Sequence, residues 1–232
     1  MSAEEEEDGL GPVDPTLERT PTVLILDTSY SMTHETNGES RIDQLNEGLE
    51  FFKDEIAEHD HAKTRVDIAL ATFGGDVTVE QDFTTFEDWD PPKLDAGGGT
   101  PMGEAIETAV KLDEERKEEY RNNGISYNRP IIWLLTDGGP TDMDEGDQTW
   151  NRVQDMLEQG TDESHFLFFA MGIGDEANMD VLNELVSVTD EDAIELEEGK
   201  FMEVFRIASN SLQKQSEPGD EEISPQVNAD SS

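Results

Sequence analysis

The stretch "TVLILDTSYSM", Thr22 to Met32, runs a set of β-branched and apolar residues straight into an aspartate, with serines at alternate positions beyond it. A short apolar run of this kind predicts a strand over 22–28 that is buried on both faces, as in parallel sheets. A strand that ends in Asp27, Ser29 and Ser31 leaves three readings open: a phosphate-handling nucleophile, an ordinary capped helix start, or a metal site.

The segments that follow alternate in type. Ile42, Leu45, Leu49, Phe52 and Ile56 recur at three- and four-residue spacing and predict a helix over 40–59. Strands are predicted at 65–75 and 76–86. Only Gly74, Gly75 and Asp76 separate their apolar runs, so an antiparallel hairpin is expected there. A helix over 100–120, with Pro101 suited to its first turn, precedes a strand at 129–138. A helix at 146–160, a strand at 165–174, a short helix at 178–186, a strand at 192–198 and a closing helix at 200–215 complete the order. Such alternation predicts an α/β fold: a doubly wound, mainly parallel six-stranded sheet with one antiparallel edge strand and helices on both faces. Ligands in such sheets sit at the carboxyl ends of the strands, near the point where strand order reverses. That rule points to the loops after Leu26, Phe86, Leu135 and Ile173.

Composition limits the partners. There are 57 acidic against 15 basic side chains, a formal net charge of −42. The ends do not account for it, because 45 acids and 14 bases, a net of −31, lie between Pro21 and Ser216. A surface this acidic repels itself in dilute salt and is tolerated where the Debye length is short, and it resembles proteins of extreme halophiles. The same field argues against nucleic acid or an anionic membrane as partner. No apolar run approaches the roughly 20 residues that span a bilayer. The opening "MSAEEEEDGLGPVDP" is acidic where a secretory signal is basic and then apolar, so a cytoplasmic protein is expected. Residues 1–20 and 217–232 read as acidic disordered tails around a domain over 21–216. There are no cysteines, which excludes disulfides and thiolate metal sites, and His34, His59, His61 and His165 form no pair spaced i, i+4 on a helix for zinc.

Three segments carry unusual residues: "DTSYS" (27–31), "AGGGTPMGEA" (96–105) and "TDGGPTD" (136–142). Together they offer Asp27, Ser29, Ser31, Thr100 and Asp137, an all-oxygen set without imidazole or thiol. Such a set suits a hard cation, Mg2+ in particular, with Mn2+ or Ca2+ as alternatives. In D-x-S-x-S the polar residues alternate, so on an extended turn all three face one way while Thr28 and Tyr30 face elsewhere. Glycines 97–99 let backbone approach an ion and bring Thr100 to a helix start. Taken singly, each residue has an ordinary explanation: Ser29, Ser31 or Thr100 as a helix cap, Asp137 before Gly138 as turn chemistry. Their joint placement after strands of one sheet is harder to explain that way.

Rival chemistries fail at named positions. An aspartyl phosphatase usually carries a second acid two residues on, where Ser29 stands. No G-x-S-x-G elbow is present, and no lysine follows glycines 97–99 as a P-loop requires. "GIGDEA" (172–177) imitates a dinucleotide loop, but Asp175 and Glu176 would repel a pyrophosphate. "DMDEGDQTWNRV" from Asp142 has Val153 where a calcium loop needs glutamate, and reads as a loop entering a helix cap.

The three motifs resemble the metal-ion-dependent adhesion site of von Willebrand factor A-type (vWA) domains, with the match covering about 20 to 216. "LILDTSYSM", "FTTFEDWDPPKLDAGGGTPMGEAI", "PIIWLLTDGGPTD" and "FMEVFRIASNSL" further resemble the tellurium-resistance Y-type (TerY-like) branch. The resemblance implies a Rossmann-like sheet with Ser29, Ser31 and Thr100 contacting the metal, and Asp27 and Asp137 binding directly or through water. It implies a non-enzymatic, Mg2+-dependent binding module that captures an Asp or Glu of a protein partner, with a role in tellurite or stress resistance beside kinase, phosphatase or other tellurium-resistance proteins. No motif sets the oligomeric state, and a monomer is the expectation. An adaptor for a MoxR- or chelatase-type AAA+ ATPase is the alternative, and a metal-dependent phosphohydrolase a more distant one, lacking a general base near the ion. Tyr30 departs from the family pattern, which often has glycine there.

Overall fold

A computed structural model describes residues 17–36 and 38–217. The acidic tails expected at 1–20 and 217–232 lie outside these residues except at their inner ends, where Arg19 and Thr20 join the sheet and Glu217 follows the last helix.

Among the described residues six strands form one sheet: β1 (Thr20–Asp27), β2 (Val66–Gly74), β3 (Asp76–Thr85), β4 (Ile131–Thr136), β5 (Leu167–Ile173) and β6 (Ile194–Leu196). Their spatial order is β3-β2-β1-β4-β5-β6. All neighbours are parallel except β2 and β3, which pair antiparallel with Gly74 opposite Asp76. The hairpin is one residue tighter at each side than its sequence suggests: Gly75 alone makes the turn, at φ +86°, where a side chain would be strained.

Among the described residues six α-helices connect and cover the strands: α1 (Arg41–Ala57), α2 (Asp60–Arg65), α3 (Met102–Asn123), α4 (Gln148–Asp162), α5 (Met179–Val186) and α6 (Phe201–Ser216). The short α2 and a two-residue hairpin, Glu35–Thr36 with Glu39–Ser40, are not legible in the sequence, since neither is long enough to show a period.

Alternation along β1 divides the core. Leu24 and Leu26 pack with Leu45, Leu49, Phe52, Phe201 and Phe205 under α1 and α6. Val23 and Ile25 pack with Ile106, Ala109, Trp150 and Leu182 under α3, α4 and α5. Both faces of β1 are therefore dry, which is why its sequence shows an unbroken apolar run. The amino end of the sheet is pinned by Asp67, a buried carboxylate bonded by Arg19, Arg116 and Tyr120. β1 continues through α1 to β2 on one side, while β4 lies against its other edge and continues through α4 to β5. Strand order thus reverses between the carboxyl ends of β1 and β4, where Leu26 is in register with Leu135.

Candidate functional site

The crevice at that reversal is lined by the residues after the two strands. Asp27 ends β1 and is 1% exposed; Asp137 directly follows β4 and is wholly buried. The Asp27 carboxylate accepts hydrogen bonds from Ser29 N–H at Oδ1 (2.8 Å) and from Thr136 Oγ1 at Oδ2 (2.5 Å). No lysine, arginine or histidine pairs with it among the described residues. Burial pushes its carboxyl up from the ordinary 3.8 to about 6, and the neighbouring Asp137 charge adds to the rise. The bonds from Ser29 and Thr136 pull the other way.

The serines are drawn toward Asp137. Ser29 Oγ lies 3.0 Å from Ser31 Oγ, and Ser31 Oγ donates to Asp137 Oδ1 at 2.6 Å. The local backbone differs from an extended turn. Ser29 is extended (φ −66°, ψ 175°), but Tyr30–Thr33 is a 3-10 turn that swings Ser31 round onto Asp137. Thr28 points away, against Gly74 at the β2–β3 turn, and Tyr30 is 67% exposed. Asp27, Ser29, Ser31 and Asp137 are thus brought together by direct contacts.

Thr100 is brought to the same edge by its backbone. Gly97 N–H donates to Thr28 O (2.8 Å), Tyr30 N–H to Gly98 O (3.0 Å) and Gly75 N–H to Gly99 O (2.9 Å). On its other side Thr100 N–H donates to Thr141 Oγ1 (2.9 Å), and Thr141 N–H donates to Thr100 O (2.9 Å). Thr100 therefore sits between the "DTSYS" and "TDGGPTD" loops, and its hydroxyl makes no hydrogen bond among the described residues. The glycines are needed for this approach: Gly98 has φ +80°, and a Cβ there would lie 2.5 Å from Gly75 backbone.

The ordinary explanations of single residues do not hold here. Ser29 makes no side-chain cap bond, and the cap position of α3 is Pro101, one residue before the first turn where it was expected. The first N–H groups of α3 are instead satisfied by Asp142, which accepts from Gly103 (3.1 Å) and Glu104 (2.9 Å). After Asp137, the Gly138 N–H bonds Thr136 Oγ1 and leaves the Asp137 carboxylate free of turn duty. The acids once comparable to a calcium loop do cap helices: Asp142 caps α3, and Asp147 caps α4 through Trp150 N–H at 2.7 Å.

Several residues at this edge were not singled out in the sequence. Arg41, the first residue of α1 and 5% exposed, donates from Nη1 to Asp137 Oδ2 and to Glu176 Oε2, both at 2.7 Å. Its Nε and Nη2 meet Glu198 Oε1 and Oε2 at 2.8 and 2.7 Å. Hydrogen bonding to Glu198, then Asp137 and Glu176, holds the guanidinium more firmly charged, and Arg41 in turn lowers the pKa of Glu198. Glu176 is lowered by His34, 3.0 Å away, and by Arg41. A signal for Arg41 did exist: an arginine in the first turn of a helix opposes the macrodipole and calls for nearby acids.

Two carboxylates and three neutral hydroxyls at one dry edge fit a hard cation, and the buried Asp27 charge with no cationic partner is the feature such an ion would satisfy. The set does not depend on clustered acids or imidazoles: among the described residues no group of three or more His, Cys, Asp or Glu is placed to hold a metal. No helix among them is long and apolar enough to cross a membrane.

The von Willebrand factor type A domain model matches residues 22–210. Among solved structures, the vWF domain of the type V pili tip protein Mfa5 from Porphyromonas gingivalis aligns with a TM-score of 0.59 at 12% identity, covering 89% of this chain and 99% of that one. The PilB minor pilin from Streptococcus sanguinis aligns at 0.58 and 14% identity, covering 86% of this chain and 62% of the pilin. The ArnB paralog VWA2 from Sulfolobus acidocaldarius aligns at 0.56 and 18% identity, covering 86% of this chain and 45% of that protein. At these identities the likeness is one of fold. Comparison with curated proteins gives no match.

Proposed function

This chain belongs to the von Willebrand factor type A domain family, and from that membership and the geometry of its sheet edge we propose a cytoplasmic, Mg2+-dependent, non-enzymatic protein-binding module. The observation that carries the reading is Asp27: a buried carboxylate at the strand-order reversal with no basic partner among the described residues, beside hydroxyls that run from Ser29 through Ser31 to Asp137. Asp27, Ser29, Ser31, Thr100 and Asp137 would hold the ion. When bound, the ion supplies a positive centre able to accept a carboxylate from a partner's Asp or Glu. The chain's own residues supply the rest. The Ser29 and Ser31 hydroxyls are neutral and leave the ion's charge largely unspent, Thr136 fixes the Asp27 carboxylate, and the glycine loop holds Thr100 against both other loops.

Similarity to the TerY-like branch supports a role in tellurite or stress resistance, and the acidic surface supports a high-salt cytoplasm as the setting. The test is affinity capture from native lysate in molar KCl, with and without chelator, using wild type, Asp27→Ala and Thr100→Ala. A partner retained only by metal-loaded wild type supports the proposal. Identical partners in every condition would sink it.

A further inference from the structure

Arg41 is the one basic side chain in contact with the candidate ligands among the described residues, and its contacts are asymmetric. It holds Oδ2 of Asp137, while Oδ1 accepts from Ser31 on the side of the hydroxyls. The guanidinium cannot readily follow a turning carboxylate. Its opposite edge forms a two-bond fork with Glu198, and Glu198 Oε1 also accepts from Thr36 Oγ1 at 2.7 Å. Its Nη1 is shared with Glu176, which lies beside His34. One buried arginine at the head of α1 thereby ties down the loops that follow β4, β5 and β6.

Asp27 is constrained in the same sense. Thr136 occupies Oδ2 and the Ser29 amide occupies Oδ1, each leaving a further lone pair. Each oxygen can still give one lone pair to an ion. Turning both oxygens of Asp137 onto one ion would draw Oδ2 out of its 2.7 Å bond with the immobile Arg41, whereas the Ser31 hydroxyl on Oδ1 can rotate with the carboxylate. Ca2+ gathers roughly 6–8 oxygens and readily takes a carboxylate through both of its oxygens to reach that number. Mg2+ accepts single oxygens in an octahedron of smaller radius and keeps waters in the remaining positions.

Resting on the metal reading above, we infer that Arg41 is a positioning residue that selects Mg2+ over Ca2+ by restricting Asp137 to a single-oxygen contact. Removing the guanidinium frees Oδ2, lets Asp137 bind through both oxygens, and raises Ca2+ affinity relative to Mg2+.

The test measures dissociation constants for Mg2+ and Ca2+ by calorimetry in molar KCl, on wild type, Arg41→Met/Glu198→Gln and Arg41→Lys. The double variant leaves net charge unchanged, so a general electrostatic effect on both ions cancels in their ratio. Arg41→Lys keeps a cation and loses the fork, and it carries the test if circular dichroism finds the double variant unfolded. Wild type should prefer Mg2+, and the preference should fall about ten-fold in the folded variants, the scale typical of residues behind metal ligands. A ratio unchanged in a folded variant overturns the inference and leaves the metal reading standing, as does wild type that binds the two ions equally. Wild type that binds neither ion overturns the metal reading, and this inference with it.

Discussion

Replacing Asp27 by asparagine in the absence of metal should stabilise the fold while removing metal binding. The magnitude follows from the site. Burial raises the Asp27 carboxyl from 3.8 to about 6, which means that folding favours its protonated form. The stabilisation from that form is fully present below the unfolded value of 3.8 and is lost as pH rises through about 6. Near pH 8 the charged carboxylate costs the metal-free fold roughly two pKa units, or about 3 kcal/mol. Asparagine retains the shape and accepts from Ser29 N–H with its carbonyl; at Thr136 the bond reverses, with the amide donating to Oγ1 in place of the hydroxyl donating to the carboxylate. Thermal and urea melts in molar KCl with chelator should show Asp27→Asn more stable than wild type by about 3 kcal/mol near pH 8, or about 6–12 °C in Tm for a domain of this size. Near pH 5 the gap should narrow to about half of that. Mg2+ should raise the stability of wild type alone, since binding to the folded state stabilises by mass action. An Asp27→Asn protein less stable than wild type near pH 8, or a gap that does not change with pH, would refute the reasoning.

Three other substitutions probe separate parts of the chain. Tyr30→Gly should leave Mg2+ affinity unchanged, because the ring is exposed and its aromatic contact among the described residues is an edge contact with His34; it should weaken partner capture about ten-fold, as binding titrations would show. Asp142→Ala removes the acceptor for two N–H groups at the start of α3 and should cost about 0.5–2 kcal/mol in urea melts, with weaker Mg2+ binding because Thr100 directly precedes that helix. Gly48→Ala places a Cβ into the Phe205 ring where α1 meets α6 and should cost about 1–3 kcal/mol in thermal melts, with metal selectivity unaffected.

The secondary structure was legible where burial imposes a period. Ile42, Leu45, Leu49, Phe52 and Ile56 announce α1 because one face must meet the sheet, and "TVLIL" announces a central strand because both its faces are covered. The short α2 gave no such signal, being a single turn and a half whose only fully buried apolar residue is Ala62. The places of the candidate residues were legible too: Asp27 ends β1 with Ser29 and Ser31 just beyond it, Asp137 follows β4, and Thr100 stands before α3. Their mutual bonding was not. D-x-S-x-S suggested an extended turn, and the 3-10 turn at Tyr30–Thr33 replaces it because Ser31 gains a 2.6 Å bond to a carboxylate 106 positions away.

The sequence by itself determined the order of the six sheet strands and the five longer helices, the acidity of the chain and which oxygen-bearing residues lie at the ends of buried strands, because these follow from local period and composition. The tertiary structure alone decided that Thr136 would fix Asp27, that Asp142 would cap the helix entered by Thr100, and that Arg41 would hold Asp137. Those pairings join residues 39 to 109 positions apart, and they depend on strand register and on desolvation at a shared edge. No local pattern encodes either one. A buried carboxylate takes whichever donor the fold delivers within about 3 Å, and only the packed sheet says which that is.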